Sequence, residues 1–453
     1  MTENIAQTLR PVGMLEKWST VRHNLSFYIN VALTTRYTSS ASPLSKATIY
    51  RALTTLITTH APLGTTILGE NTPHPTFARL ARINLDELVT ITHLRAATTD
   101  PAEELAEIDE ILSSQHNNKF HELGRLPPWR VVIIAPRTPD PAARGVDVAF
   151  VYHHALGDGA TGLAFHRALL RALNTPCEAA EEEVPSVVVP PEIPLAAPLE
   201  GLVSMSTSVS KLWSQIWFPK TTHAGHWSGA AIQIPLKTVV RTVVFPAGIL
   251  AGVVAACRRE GTTVTALLEA VLARAFFGVL GEETEKLSTA AAIDLRRFIP
   301  GAGDETMGVM VCSVSVVHER RAAADVWGVA RRCRAVLQKA VETGTKDTDT
   351  GLLKYLSDYE KYFLGKLGMR REHSIEVSNL GALKSTPEGE WGISRVIFSQ
   401  SASVSGSAVE FSVVSVVGGE MCVCVCAQEG IIEEEVLAGA VKAFEAALVE
   451  LAG

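Results

Sequence analysis

Apolar residues along this chain recur with two different spacings, which predict both strands and helices. Short runs rich in valine, isoleucine and aromatic residues, bounded by turn residues, are typical of buried strands. In the first half such runs lie at residues 27–37, 130–136 and 146–154. From residue 159 the spacing changes, because Phe165, Leu169 and Leu173 follow at four-residue intervals and share one helical face. The pattern therefore predicts a strand that runs into a helix.

The second half repeats this mixture. The spacing predicts a strand at residues 232–245 and a helix at 262–277. Two further strands, 409–417 and 421–427, flank Gly418-Gly419, a dipeptide that accepts the positive φ of a tight hairpin. A last helix carries one apolar stripe, which is more typical of core packing than of a membrane anchor: Leu437, Val441, Phe444, Leu448 and Leu451.

A proline-rich segment divides the two halves. Residues 176–198 combine several prolines with the acidic run 181–183, a composition that opposes helices and strand pairing. With 453 residues, the chain exceeds one ordinary domain. We therefore predict an N-terminal lobe at 1–175, a linker at 176–225 and a C-terminal lobe at 226–453.

Charge and composition exclude several classes of protein. A net charge of −7 offers no general attraction to nucleic acid. The N-terminus lacks the apolar core of a signal peptide, and no window holds eighteen uninterrupted apolar residues, so we expect a cytoplasmic protein without stable membrane insertion. The odd number of cysteines, seven, argues against a disulfide framework.

Two groups of possible metal ligands carry weak signals. Cys422, Cys424 and Cys426 alternate with valines on one strand and have no second ligand pair, so we expect core residues. His223 and His226 have a spacing suited to shared ligation, but no cysteine or carboxylate lies near them in the sequence. We therefore predict no metal.

The turn at residues 153–159 combines the most chemical features. His153 and His154 end an apolar strand, and Gly157-Asp158-Gly159 follows. Side chains alternate across a strand, so only one of the two imidazoles can face a given cleft. A neutral imidazole there can act as a general base.

The same turn also matches a dinucleotide-binding pattern, through Gly157, Gly159 and Gly162. Asp158 would place a negative charge against the pyrophosphate, and a proline-rich segment follows the helix where a second parallel strand is required. We therefore disfavour this alternative. Signatures of serine hydrolases, zinc peptidases and phosphate-binding loops do not occur in the sequence.

The stretch His153-His154-Ala155-Leu156-Gly157-Asp158-Gly159 resembles the His-His-x-x-x-Asp-Gly signature of the coenzyme A-dependent acyltransferase superfamily, which includes chloramphenicol acetyltransferase and peptide-synthetase condensation domains. Other segments resemble the fungal alcohol acetyltransferase-like family in particular. They are Arg10-Pro11-Val12-Gly13 with Glu16, Arg22-His23-Asn24, residues 28–31, residues 128–131, residues 293–300 and residues 376–381. The plant members' Asp-Phe-Gly-Trp-Gly segment has no match, and the role of residues 307–311 stays open.

The resemblance implies an α/β fold of two chloramphenicol-acetyltransferase-like lobes with a tunnel at their interface. It implies that His154 is the general base and that Asp158 holds the loop, paired with Arg296 or, less favourably, with the neighbouring Arg297. His153 and Gly159 would support the site structurally. The oxyanion donor stays open between main-chain N–H groups at Asp158-Gly159 and the hydroxyls of Ser401 or Ser403.

The resemblance further implies an acyl-CoA co-substrate, acetyl-CoA in the favoured case, and no bound cofactor. The acceptor would be a small-molecule alcohol or amine, and the protein a monomer. Two alternatives remain open. One is amide formation with a carrier-protein or other acyl-thioester donor, and the other is a binding protein that kept the fold without catalysis.

Overall fold

The structure is a computed structural model that describes residues 4–39, 44–95, 100–136, 145–176, 184–217, 224–385 and 389–453. Its strands are β1 Ile5–Pro11, β2 Val31–Ser39, β3 Thr65–Leu68, β4 Thr76–Leu80, β5 Ile83–Asn84, β6 Val89–His93, β7 Trp129–Ala135, β8 Gly145–Tyr152, β9 Val187–Val188, β10 Thr238–Phe245, β11 Lys286–Asp294, β12 Val311–Glu319, β13 Ile375–Leu383, β14 Trp391–Gln400, β15 Val409–Val416 and β16 Met421–Gln428. Its α-helices are α1 Met14–Asn24, α2 Lys46–Thr59, α3 Pro101–His116, α4 Gly159–Asn174, α5 Leu199–Leu202, α6 Val209–Trp217, α7 Ala247–Arg259, α8 Val264–Val279, α9 Val326–Thr343, α10 Asp349–Leu352, α11 Tyr359–Leu364 and α12 Glu434–Ala452.

Two mixed sheets organise the molecule. One has five strands in the order β14-β2-β8-β7-β6, and the other has six in the order β10-β16-β15-β13-β11-β12. Most neighbouring strands are antiparallel, but β6 and β7, β11 and β13, and β13 and β15 run parallel. Smaller sheets, β1-β4-β3 and β5-β9, flank them. The predicted mixed α/β class is confirmed.

Both faces of the five-stranded sheet are buried, which explains its continuous apolar runs. Val148 and Phe150 of β8 face a core built with α2 and α4, where the rings of Phe150 and Phe165 stack at 3.8 Å. Ala149 and Val151 face a second core that contains α3. Burial of one large apolar side chain stabilises a fold by about 1.5–3 kcal/mol, so these two layers fix the position at which β8 ends.

The six-stranded sheet packs on α7, α8, α9 and α12. Phe276 of α8, Phe411 of β15 and Phe444 of α12 meet there in edge and tilted ring contacts. The predicted hairpin is confirmed in β15 and β16, and Gly418 in its turn has a φ of 73°. The predicted helix at 262–277 and the last helix are confirmed in α8 and α12.

Two predicted strands begin later than the sequence pattern indicates. Residues 27–30 are not strand, because Ser26 takes a positive φ of 56° and Phe27 N donates to Arg22 O, turning the chain at the end of α1. Residues 232–237 are not strand either. There Ile232 N donates to Met369 O, and Pro235 lacks the N–H that strand pairing requires.

Sheet membership does not follow chain order. Strand β14, far into the second half, pairs antiparallel with β2, and its residues complete the sheet that carries β8. The boundaries at 175 and 225 remain a prediction. A division of the chain at these residues would assign β14 and the other four strands of its sheet to different lobes. The α3 core also joins the two sheets, since it contains Val240 of β10 and the three alternating cysteines.

The described part of the proline-rich segment packs against the first half. Strand β9 pairs with β5, and Arg10 Nε donates to Ala196 O at 2.8 Å. Residues 177–183, including the acidic run, lie outside the described residues.

Within the described ranges, no single helix combines the length and apolarity needed to cross a membrane. The pair α7 and α8, bent by 99°, meets that test only when the two are taken together and only by length and composition.

Candidate acyl-transfer site

The site is built where β8 ends and α4 begins. Asp158 is the N-cap of α4, and its carboxylate accepts a hydrogen bond from Thr161 N at 3.3 Å. N-cap carboxylates satisfy helix N–H groups that have no partner within the helix. Tyr152 OH donates to the main-chain oxygen of Asp158 at 2.7 Å, so the strand and the helix hold the turn from both sides.

Asp158 and Arg296 form a buried, two-pronged ion pair. Arg296 Nη1 and Nη2 each donate to one carboxylate oxygen at 2.9 Å, and both residues are buried. Although burial opposes it, the charge of Asp158 raises the pKa of Arg296. Arg297, the alternative named from the sequence, is exposed. Both oxygens of the Asp158 carboxylate therefore accept hydrogen bonds from Arg296 within the fold.

Residues 307–311, whose role the sequence left open, complete this pair. Met310 N donates to Asp158 Oδ2 at 2.8 Å, and Gly308 O accepts from Arg296 Nη2 at 2.9 Å. Thr161 Oγ1 donates to Gly308 O at 3.1 Å. Sequence reasoning missed these partners because two of them act through main-chain atoms, which leave no side-chain signature. Thr161, three residues after the cap, was the one available signal.

The glycines of the turn are needed for close packing. A Cβ at Gly157 would lie 2.3 Å from Thr161 Oγ1, one at Gly159 would lie 2.6 Å from Leu380 Cδ2, and one at Gly162 would lie 2.8 Å from Leu33 Cβ. Side chains of the protein itself therefore occupy the space beside each glycine. The packing accounts for the dinucleotide-like spacing without a nucleotide.

His154 lies against a cavity of about 800 Å³. Its ring stands 5.4 Å from the ring of Tyr28, and its Nδ1 atom is buried without a hydrogen-bond partner among the described residues. Burial, followed by the positive charge of Arg22, lowers the pKa of His154 to about 4. The imidazole is therefore neutral at pH 7, the form that can accept a proton.

Both halves of the chain line the cavity. Trp18, Arg22 and His154 come from the first half, and Glu376 of β13 and Phe398 of β14 come from the second. Because β14 belongs to the same sheet as β8, strand pairing fixes the position of Phe398 relative to the end of β8. The predicted two-lobe arrangement with a tunnel remains a prediction; the observed feature is this shared cavity.

His153, the other histidine, is fully buried and points to a different cluster. Its Nε2 lies 3.0 Å from Glu70 Oε1, and His23 Nδ1 lies 2.7 Å from the same oxygen. Burial opposes ionisation of Glu70, but hydrogen bonds from His153 and His23 lower its pKa to about 2. Burial also lowers the pKa of His23 to about 4. No sequence signal indicated Glu70.

His23, Glu70 and His153 also have the spacing of a possible metal site. The ring nitrogens that face away from Glu70 argue against metal ligation. His23 Nε2 accepts from Phe120 N at 3.2 Å, and His153 Nδ1 accepts from Ala155 N at 2.8 Å. Each ring therefore carries its proton on the nitrogen that faces Glu70, and metal ligation there would move that proton against a main-chain N–H. The three residues form a hydrogen-bonded triad that holds the turn.

Neither hydroxyl named as an oxyanion donor lines the cavity. Ser401 Oγ accepts from Ile29 N at 3.0 Å and donates to Ala402 O at 2.9 Å, which uses its single O–H donor. Ser403 Oγ is buried without a partner among the described residues and lies outside the cavity lining. The main-chain N–H groups of the turn remain predicted donors, although Asp158 N donates to Gly308 O at 3.3 Å.

The remaining ligand candidates lie away from the cavity. The described cysteines are buried free thiols, and Cys424 Sγ and Cys426 Sγ are 3.8 Å apart within the α3 core. His226 Nε2 lies 3.1 Å from Ser288 Oγ, and His223 lies outside the described residues.

Comparison with solved structures defines the class of fold. The chain superimposes on a trichothecene 15-O-acetyltransferase from Fusarium sporotrichioides, TRI3, with a TM-score of 0.71 and 13% identity, covering 98% of this chain and 94% of the other. The first condensation domain of the CDA synthetase gives a TM-score of 0.65 at 14% identity, covering 99% and 97%. The architecture is thus that of condensation-domain-type acyltransferases.

Sequence comparison specifies the family. A model of the alcohol acetyltransferase family matches residues 11–448, and the chain belongs to that family. It is 29% identical to the probable alcohol acetyltransferase crmB of Aspergillus fumigatus, over 93% of this chain and 95% of crmB. It is 26% identical to the probable alcohol acetyltransferase FCK4 of Fusarium pseudograminearum, over 95% and 93%. The predicted acyltransferase class is confirmed.

Proposed function

We propose that this acyltransferase moves an acetyl group from acetyl-CoA to the hydroxyl group of a small-molecule acceptor, with His154 as general base. The observation that carries the proposal is that the neutral His154 ring lines the large cavity, while the Asp158 carboxylate beside it is fully used by Arg296 and main-chain donors. The printed names of the relatives, and the O-acetyltransferase activity in the TRI3 title, support a hydroxyl acceptor.

In the proposed reaction, the unprotonated ring nitrogen of His154 removes the acceptor's hydroxyl proton as the oxygen attacks the thioester carbonyl carbon. The tetrahedral intermediate collapses when the carbon–sulfur bond breaks. The coenzyme A thiolate then takes the proton from the imidazolium, which restores neutral His154. General-base assistance of this kind contributes roughly 10²- to 10⁴-fold. Binding both reactants in one cavity further lowers the activation barrier, because it holds the hydroxyl group and the thioester in a reactive orientation.

Thiol release from acetyl-CoA, followed with a thiol-reactive dye across aliphatic, aromatic and terpenoid alcohols and several amines, tests this function. We expect alcohol-dependent release that collapses in a folded His154→Ala variant. Release with amines alone would replace O-acylation by N-acylation. Absence of release with every acceptor would favour a carrier-protein donor or a binding role.

A further inference from the structure

Arg22 places a guanidinium in the cavity close to His154. It lies in the last turn of α1, with its guanidinium carbon 4.6 Å from the ring centre of Tyr28 and 5.9 Å from that of Trp18. The ring of Tyr28 is in turn the neighbour of His154. The two aromatic rings hold the arginine beside the imidazole through cation–π contacts.

The Arg22 side chain makes no hydrogen bond and no ion pair within the described ranges, and its Nε atom is buried. The buried arginines Arg296 and Arg371 differ in this respect. Arg296 is paired with Asp158, and Arg371 donates to Ala230 O, Val404 O and Gln428 Oε1. Arg22 itself is partly exposed at the cavity, but a buried polar atom without a partner, such as its Nε, is costly. An unused five-donor fork at a cavity wall therefore indicates a position kept for a ligand.

Two carboxyl groups lie near Arg22 but do not pair with it. Glu376 Oε1 accepts from Gln400 Nε2 at 3.1 Å, and Glu410 Oε1 accepts from Ser403 N at 3.1 Å. Burial raises the pKa of Glu376 and of Glu410, which disfavours the charged carboxylate in both. Within the described ranges Arg22 therefore has no ion-pair partner; burial lowers its pKa, and the nearby Glu376 and Glu410 only partly offset that effect.

We infer that Arg22 binds a carboxylate group carried by one of the two reactants, so that the enzyme favours an acidic substrate with an apolar body. The guanidinium fork matches a carboxylate with two parallel hydrogen bonds. The apolar body is expected because Leu15, Trp18, Leu356 and Phe398 line the same cavity. The inference rests on the proposed function, since it names the substrate class of that site.

Ligand charge at Arg22 would also act on the base. The positive charge of Arg22 lowers the pKa of His154, and a bound carboxylate would offset that charge and raise the pKa towards its ordinary value. A stronger base would thus be present only when the acidic reactant is bound. Two reactants can supply the carboxylate: a hydroxy acid as the acceptor, or a dicarboxylic half-thioester as the acyl donor.

The experiment compares matched reactants that differ by one carboxylate. Mandelate against methyl mandelate, both with acetyl-CoA, tests the acceptor. Succinyl-CoA against acetyl-CoA, both with benzyl alcohol, tests the donor. In wild type we expect kcat/KM to favour the acidic member of one pair by at least about tenfold. Arg22→Gln should reduce that ratio by about 10- to 100-fold, and Arg22→Lys by less, because it keeps the charge without the fork.

Arg297→Gln, which removes an exposed positive charge outside the cavity lining, is the matched control and should leave the ratio unchanged. A second readout is the pH profile. Arg22→Gln should move the acid limb of kcat/KM to higher pH, because the pKa of His154 rises once the arginine charge is removed. An unmoved limb would overturn the link between the Arg22 charge and the pKa of His154, whereas the substrate ratio alone tests carboxylate binding.

A wild-type enzyme without preference in either pair overturns the inference and needs no variant to fold. So does a preference that survives Arg22→Gln, or that Arg297→Gln abolishes equally. Calorimetric titration with mandelate and methyl mandelate, and with succinyl-CoA and acetyl-CoA, separates this inference from the proposed function. If no pair turns over but the acidic member binds more tightly through Arg22, the carboxylate site stands and the transfer reaction fails. If both members of a pair turn over equally well and bind equally tightly, the transfer reaction stands and the carboxylate site fails.

Discussion

His153 and His154 are neighbours in the chain with identical side chains, yet they occupy opposite kinds of environment. Both ring nitrogens of His153 have partners, Glu70 on one side and Ala155 N on the other, and the side chain is fully buried. His154 has a buried Nδ1 without a described partner and lines the cavity. One imidazole is completely used by the fold, and the other is available to a reactant.

The difference shows that, at the end of a strand, one residue can be held by hydrogen bonds of the fold while the next residue faces a cavity. Hydrogen bonds from both sides fix the tautomer of His153, so its triad anchors the turn. His154, the next residue, lines the cavity, and its Nδ1 has no hydrogen-bond partner among the described residues. The hydrogen bonds that anchor the first residue thereby set the position of the second.

Replacement of His154 should produce the largest loss of activity. We expect His154→Ala to lower kcat by roughly 10²- to 10⁴-fold with little change in melting temperature, because Nδ1 of the ring has no hydrogen-bond partner among the described residues. Thiol release and thermal denaturation measure the two effects. His93→Ala, at an exposed position on β6, is the matched control. Equal loss in both variants, or a folded His154→Ala enzyme with normal kcat, would contradict the assignment.

Breaking the Asp158–Arg296 pair should damage folding as well as rate. Removal of one partner leaves a buried charge unpaired, so Asp158→Asn or Arg296→Ala should lower the free energy of unfolding by about 3–5 kcal/mol. Urea denaturation followed by circular dichroism measures it. Arg297→Ala should change stability by less than about 0.5 kcal/mol, because that side chain is exposed. A normally melting but inactive Asp158→Asn protein would show that the carboxylate acts in the reaction instead.

Loss of the Glu70 carboxylate should weaken the triad without removing the base. Glu70→Gln replaces an acceptor of two imidazole N–H groups with an amide, so we expect a loss of about 1–3 kcal/mol in stability. The rate should fall less than it does in His154→Ala. Tighter binding of zinc to wild type than to Glu70→Gln, seen by calorimetry, would instead favour metal ligation by the triad.

The same triad predicts acid sensitivity. The folded-state pKa values of Glu70, about 2, and His23, about 4, lie below their unfolded values, so the unfolded chain binds more protons. Stability should therefore be complete above about pH 6.5 and fall, first as His23 and then as Glu70 are titrated, towards pH 2. Urea midpoints measured from pH 7 to pH 4 check the first stage. A midpoint that stays constant over that range would be inconsistent with a neutral buried His23.

Ser401→Ala should have the smallest effect on rate. Its hydroxyl already bonds to Ile29 N and Ala402 O, so we expect about 1 kcal/mol of lost stability and an unchanged kcat. Melting temperature and thiol release measure both. A tenfold loss of kcat in a normally folded protein would return Ser401 to the role of oxyanion donor.

The sequence predicted those parts of the fold that follow a local pattern. Helix α4 was predicted from the four-residue spacing of Phe165, Leu169 and Leu173. The hairpin was predicted from Gly418, which can adopt a positive φ. Strand starts were less predictable. The chain turns at Ser26, and Ile232 bonds to Met369, a residue far away in sequence, so apolar composition alone extended both strands too far.

The site shows the same division. The motif pointed to His154 and Asp158, and Arg296 came from the resemblance, because side-chain identity carries those signals. Glu70 and Met310 N could not be found, since one lies in an unremarkable loop and the other acts through its main chain. Arg22 stood in a segment that resembles the family, but its lack of a partner becomes visible only when the surrounding groups are in place.

The pairing of β14 with β2 has a consequence for synthesis. Thr38 and Gly392, which meet across these strands, are 354 residues apart in the chain. During translation the edge of β2 that pairs with β14 stays unpaired until nearly the whole polypeptide has been synthesised. Contacts between residues so distant in the chain also form slowly. Exposed strand edges are templates for aggregation. The nascent chain therefore passes through a long interval in which it is prone to aggregation, and the part of the cavity wall that β14 supplies is among the last parts of the enzyme to form.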